Sequence, residues 1–304
     1  QRLGTLFNGL SMNVTDLQLG VGLAVLCAFA TNLGFMLKHR GASQSTAVDF
    51  RHPWRSAVGL FRSPVFVLGY VVAAFALFLH VAALWFAPIS IVQATISAGL
   101  VFLAVNAERM FGLSLGRRQW AGVMLTAVGL TLLALTVRHA ADHQGYSLTA
   151  LVAFESGALL LGVLLLAGPR FSSATHHHGM MLAAASGLLI GVSDIAIKAM
   201  TNIAGADGVV SALLSPWLVL AVSLAVVSFF SVAKALQIGE AVPVITMIGV
   251  AASLLQIVGG IVVFNDPLPS GTLAMVAQGF GFVLICAAAA LVPAPTRVPT
   301  AQPA

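Results

Sequence analysis

Apolar residues along this chain come in runs of about 20 separated by short polar gaps, the length a helix needs to cross roughly 30 Å of hydrocarbon at about 1.5 Å per residue. Nine such runs are read, at 19–37, 65–86, 89–107, 119–137, 148–168, 180–201, 213–234, 242–264 and 271–292. The stretch 41–62 interrupts the pattern with Asp49, Arg51, His52, Arg55 and Arg62. A charge at the centre of a span costs about 2.5 to 3.5 kcal/mol, so this stretch is expected at the interface or in the cytoplasm. The pattern predicts an all-α polytopic membrane protein with about nine transmembrane helices.

Composition agrees: 59% of residues are hydrophobic and 8% charged, and the mean hydropathy is +1.01, whereas a soluble domain carries about 25% charged residues. The formal charge of +5 does not point to nucleic acid, because the basic residues fall in the gaps between apolar runs rather than on an aromatic-laced face. Cys27 and Cys286 are the two cysteines, both inside apolar runs, so no disulfide framework is implied. A cleaved signal peptide does not account for runs spread along the whole chain. Met12 is a candidate native start, and residues 1–11 are left out of the fold argument.

With nine spans, alternate loops face opposite sides, and the basic residues test the count. One side receives eleven of them: Lys38, Arg40, Arg51, Arg55, Arg62, Arg109, Arg117, Arg118, Arg170, Lys234 and Arg297. The other receives Arg2 and Arg138, and Lys198 stays inside the sixth span. This bias predicts a multi-pass protein of the cell membrane with its N-terminus outside and its C-terminus cytoplasmic.

An internal repeat organises the spans. Ser63–Leu84 aligns without gaps to Ser215–Leu236 with eight identities in 22 positions, including Ser-Pro at the start and Ala-Leu at the end. Each copy continues with a proline opening a span (Pro88, Pro243), an acidic residue closing it (Glu108, Asp266) and a glycine (Gly116, Gly271) before the last span. Each is preceded by a span ending near a lysine, Lys38 or Lys198. Two four-helix repeats separated by one linking helix must enter the bilayer from opposite faces, as in secondary transporters with a site near the midplane. The expected divisions are an extracytoplasmic segment 1–18, a first repeat 19–137, a linking helix with its loops 138–179, a second repeat 180–292 and a cytoplasmic tail 293–304.

These residues resemble the EamA-like drug/metabolite transporter superfamily. The first copy carries Ala83-Leu84, Pro88, Asn106-Ala107-Glu108, Leu113-Ser114, Gln119, Gly122 and Gly129. The second carries Ala235-Leu236, Pro243, Asn265-Asp266-Pro267-Leu268, Gln278-Gly279 and Gly281. The superfamily mostly has ten spans, and the polar stretch 41–62 in place of a second span makes this chain similar to the nine-span branch that includes NIPA-type magnesium transporters, as do Met36-Leu37-Lys38 and Phe86-Ala87-Pro88. Asp266 stands where the family more often has glutamate. The resemblance implies a transporter that moves a small solute by alternating access, with magnesium as the rival cargo.

Ionisable groups within spans are costly and usually face a cavity or a partner, which makes them the candidates for function. Glu155 lies in the fifth span; Asp194 and Lys198 lie in the sixth, four residues apart and so on one helix face. The pair reads either as a self-neutralising ion pair or as a cation-and-anion site that splits during transport, and Glu155 either as a buried neutral carboxyl or as a coupling group. His80, Asn32, Gln93 and Gln256 read first as interhelical hydrogen-bonding groups and second as pathway lining. The histidine run His176, His177 and His178 and the group His139, Asp142 and His143 lack the spacing of a preformed metal site. Glu108 and the glycines Gly112, Gly116 and Gly271 read as helix-terminating features. No phosphate-binding loop or convergent catalytic constellation is found, so the chain is not expected to be an enzyme. No cofactor is expected. The expected partners are the lipid bilayer and a small-molecule or ion substrate, with a homodimer as the assembly to look for; a non-transporting partner subunit is the remaining alternative.

Overall fold

The computed structural model describes residues 14–86, 89–112, 115–136, 147–171, 178–264 and 271–291. Twelve helices and no strand occur among them. They are α1 Val14–Ser43, α2 Pro53–Phe61, α3 Pro64–Phe86, α4 Ile89–Ala98, α5 Val101–Arg109, α6 Arg117–Thr136, α7 Leu148–Phe171, α8 His178–Asp207, α9 Val209–Leu213, α10 Pro216–Ile238, α11 Ala241–Phe264 and α12 Thr272–Leu291.

Six helices among the described residues are long and apolar enough to cross a bilayer: Leu17–Ser43, Pro64–Ala83, Leu148–Gly168, His178–Asp207, Pro216–Ile238 and Ala241–Phe264. Their outward faces are lined with large apolar side chains, such as Val71, Phe75 and Phe78 on α3, Leu160 and Leu164 on α7, and Val219 and Val222 on α10. Apolar belts of this extent are stable when lipid is the solvent. Of the other three expected spans, two are the 20-residue helices α6 and α12. The third, expected as one helix over 89–107, is interrupted and forms α4 and α5.

α8 is the most interior of the six, with 61% of its span buried against 22% for α3 and for α7. It packs against α7, α10 and α11, while α1 packs along most of α3 and α6 lies against α12. Small residues allow the closest approaches. A Cβ added at Gly34 would lie 3.0 Å from the Gly69 carbonyl oxygen, and one at Gly69 would lie 2.9 Å from that of Gly34. Gly129 on α6 and Gly281 on α12 are related in the same way, at 2.9 and 3.0 Å. Backbones meet this closely only where neither helix carries a side chain. The corresponding crossing of α8 with α10 is closed by Ser193 Oγ, which donates to the Ala221 carbonyl at 3.2 Å.

The stretch 41–62 comprises the end of α1, a loop and the nine-residue helix α2. α1 ends at Ser43, a loop follows, and Pro53 occupies the first turn of α2, where its missing N–H costs nothing. Ser56 and Leu60 face inward, and the Phe61 ring stacks on Phe229 of α10 with centroids 5.9 Å apart. Gln237, at the end of α10, holds the loop: its Oε1 accepts from the Val48 N–H at 2.8 Å, and its Nε2 donates to the Ala42 and Thr46 carbonyls at 3.0 and 2.9 Å. At the same end, Gln119 Nε2 donates to Glu240 Oε2 at 2.8 Å. Gly179 abuts Gly239 there, so a Cβ on Gly179 would lie 2.8 Å from the Gly239 Cα.

Candidate functional site

The interruption between α4 and α5 is the most unusual backbone feature inside the bundle. The chain does not unwind there; it tightens. Leu100 N–H bonds to Ser97 O at 3.2 Å, Phe102 N–H to Gly99 O at 2.9 Å and Leu103 N–H to Leu100 O at 3.0 Å, all i to i+3. Leu100 keeps φ −55° and ψ −23°. A short 3₁₀ turn inside a long helix often marks a hinge. Asn32 on α1 secures it, donating through Nδ2 to the Gly99 carbonyl at 3.1 Å and to its own Ala28 carbonyl at 2.8 Å. Gly99 is required at this contact, because a Cβ would collide with that of Ala28. Asn32 is thus buried and makes the interhelical hydrogen bond read from its residue type.

The ionisable candidates Glu155, Asp194 and Lys198 lie on α7 and α8, beside α11. Asp194 Oδ2 accepts a hydrogen bond from Gln256 Nε2 of α11, and neither residue is covered by protein. Lys198 Nζ sits 4.3 Å from the centroid of the Phe264 ring, also on α11. Both members of the expected pair therefore reach the same neighbouring helix. Glu155 is buried to 3% exposure, and its Oε1 has no hydrogen-bond partner among the described residues. It lies between Leu151, which packs with Ile195 and Phe264, and Ala158, which packs with Val192. That places Glu155 level with Asp194 on the helix beside it.

His80 is half-buried on α3. Gln93 lies on α4, but its side chain is outside the described residues, as are His139, Asp142, His143, His176, His177 and Asp266. Among the described residues, no three His, Cys, Asp or Glu side chains come together as a metal site. Glu108 accepts a hydrogen bond from the Trp120 indole Nε1 at 2.9 Å, tying α5 to α6. Gly112 and Gly271 take φ of +64° and +113°, the left-handed conformation of glycines at helix ends.

One residue of the interior is out of place with the charge pattern. Lys38 was assigned to a basic loop, but α1 continues to Ser43 and Lys38 lies inside it at 9% exposure. Its Nζ stands 4.0 Å from the Phe35 ring centroid and 5.0 Å from that of Tyr70. The aliphatic stem fills the space left by Gly69, where a Cβ would lie 2.8 Å from Lys38 Cγ. No carboxylate pairs with it among the described residues. Two desolvated cation–π contacts return about 2 kcal/mol or more each, against a cost of several kcal/mol for burying an ammonium. The two rings thus largely offset the ammonium's burial, and no carboxylate adds to them.

The geometry thus holds two groups of polar residues, Asn32 with the α4–α5 turn, and Glu155, Asp194, Lys198 and Gln256 on α7, α8 and α11. Comparison with known proteins adds no identity: no family model, curated protein or solved structure matches the chain.

Proposed function

We propose that this chain is a secondary transporter of the drug/metabolite transporter type, moving a small solute by alternating access between two inverted four-helix halves. The observation that carries the reading is the 3₁₀ turn at Ser97–Leu100, held by a buried asparagine from a neighbouring helix. Helices interrupted within the bilayer form the substrate sites of such transporters, and irregular backbone at that depth is tolerated only where protein or a water-filled cavity satisfies it.

Matched geometry supports the two halves. α1 and α8 are each 30 residues long, and α3 and α10 are each 23 residues long and start with a proline. Gly69 and Ala221, which receive the crossings from α1 and α8, are separated by the same interval as the aligned Ser63 and Ser215. So are Gly129 and Gly281, which touch each other. The nine-pass topology is supported by Gln237, Glu240 and Gly239, which join loops that the charge pattern puts on one side.

Asp194 and Gln256, uncovered near the middle of α8 and α11, would face a water-filled pathway, since an ionisable group does not stably face lipid. Glu155 and Lys38, both buried without an ion-pair partner among the described residues, are the groups that would gain one as the halves move. The test is purified protein in liposomes with a panel of metabolites and an imposed proton gradient. Saturable uptake that falls at least about tenfold in Asn32→Leu is the expected result. Saturable Mg²⁺ flux lost in Glu155→Gln would move the cargo to a divalent cation, in keeping with the unpartnered Glu155 oxygen. A protein inert in liposomes towards every solute would overturn transport and favour a partner subunit.

A further inference from the structure

The stretch from Thr46 to Arg62 lines an open groove of about 560 Å³, bordered by Thr46, Asp49, His52, Trp54, Arg55 and Arg62 among others. One nine-residue helix presents two different demands along it. Trp54, Val58 and Phe61, at i, i+4 and i+7, form an apolar ridge that protein leaves 80%, 37% and 50% exposed. Arg55 and Arg62, also seven residues apart, form a basic ridge beside it, and neither has an ion pair among the described residues. The one carboxylate lining the groove, Asp49, is already engaged by His52 Nδ1 at 2.9 Å and by the Arg51 N–H at 2.9 Å.

We propose that this groove binds the headgroup of an anionic phospholipid, with the lipid phosphate between Arg55 and Arg62 and the start of the acyl chains along Trp54 and Val58. Water would satisfy the arginines but not the apolar ridge, and hydrocarbon would satisfy the ridge but not the arginines. A phospholipid at the boundary satisfies both. An exposed tryptophan beside arginines on a short amphipathic helix is the chemistry of an interfacial anchor, and a guanidinium pair matches a phosphate by charge and hydrogen bonding. Because Gln237 fastens the same loop to α10, the lipid would hold the first half against the second at this face. The proposal rests on the chain lying in a bilayer and not on its being a transporter.

The test is native mass spectrometry of the full chain released from detergent after mixing with phosphatidylglycerol or with phosphatidylcholine of the same acyl chains. Retention of phosphatidylglycerol is expected to exceed that of phosphatidylcholine by about tenfold or more. The preference is expected to be lost in Arg55→Gln/Arg62→Gln and kept in Arg55→Lys/Arg62→Lys, with the unfolding midpoint unchanged in both. Equal retention of the two lipids, or a preference that survives the double glutamine variant, would overturn the proposal. Displacement of the bound lipid by millimolar inorganic phosphate would also overturn it, by assigning the groove to a free anion.

Discussion

A buried lysine with two aromatic rings and no carboxylate is a poor use of interior space unless something else needs its charge. Replacing Lys38 with methionine keeps the stem's volume and removes the desolvated ammonium, so the unfolding temperature is expected to stay or rise. Uptake is expected to collapse. A destabilised variant that still transports would show that Lys38 is structural. Asn32→Leu has the opposite balance: it removes one of two donors from the buried Gly99 carbonyl, which keeps the Phe102 N–H, for a loss of about 0.5–1.5 kcal/mol in stability, read by thermal unfolding in detergent. Asn32, Asp194 and Glu155 were legible in sequence because a polar group inside an apolar run is conspicuous. Lys38 was not, since a lysine just past an apolar run looks like a loop charge until the helix is seen to continue. Outside the spans, the hydrogen bond from His52, followed by that from the Arg51 N–H, holds the Asp49 carboxyl below its usual range. A carboxyl lowered in the folded protein contributes stability above its unfolded pKa of about 3.9 and loses it as pH falls through the lower folded value. Loop 44–52 is therefore expected to loosen only below about pH 4, seen as a rise in its hydrogen exchange.

At the scale of elements, the apolar runs located the long helices well, because a span's length and hydropathy are set by the membrane rather than by tertiary contacts. The interruption of the third run was hidden. Ser97-Ala98-Gly99-Leu100 contains no proline and a single glycine, and the turn exists because α1 presents Ala28 and Asn32 where Gly99 must come close. The crossings give a clean mutational contrast. Gly129→Leu must displace the Gly281 backbone and is expected to cost about 3 kcal/mol or more, in the range of severe overpacking. Gly22→Ala, with nothing within 4 Å of the added carbon, is expected to be neutral or to stabilise by up to about 1 kcal/mol through helix propensity. Comparable thermal shifts in the two variants would contradict the α6–α12 packing.

For the whole molecule, the expectation of a repeat rests on residues that punctuate helices, such as Ser-Pro at 63 and 215, whereas the partners of the interior polar groups were not legible, because contacts such as Asn32 to Gly99 join positions 67 residues apart. The topology has a direct test. Single cysteines at Thr46, Gly112 and Glu240 are expected to react with an impermeant thiol reagent from one side, and a cysteine at Gly208 from the other, since α8 at about 1.5 Å per residue carries the chain across. Labelling of Gly208 from the same side as Glu240 would overturn the arrangement. The clasp made by Gln237 has a mechanical consequence. One amide side chain joins the loop after α1 to the end of α10, so in the proposed alternating access any movement of α1 against α10 must either pivot about that point or break three hydrogen bonds. With the clasp intact, the proposed cycle would widen the far end of the bundle, and Gln237→Ala would unlatch the near one.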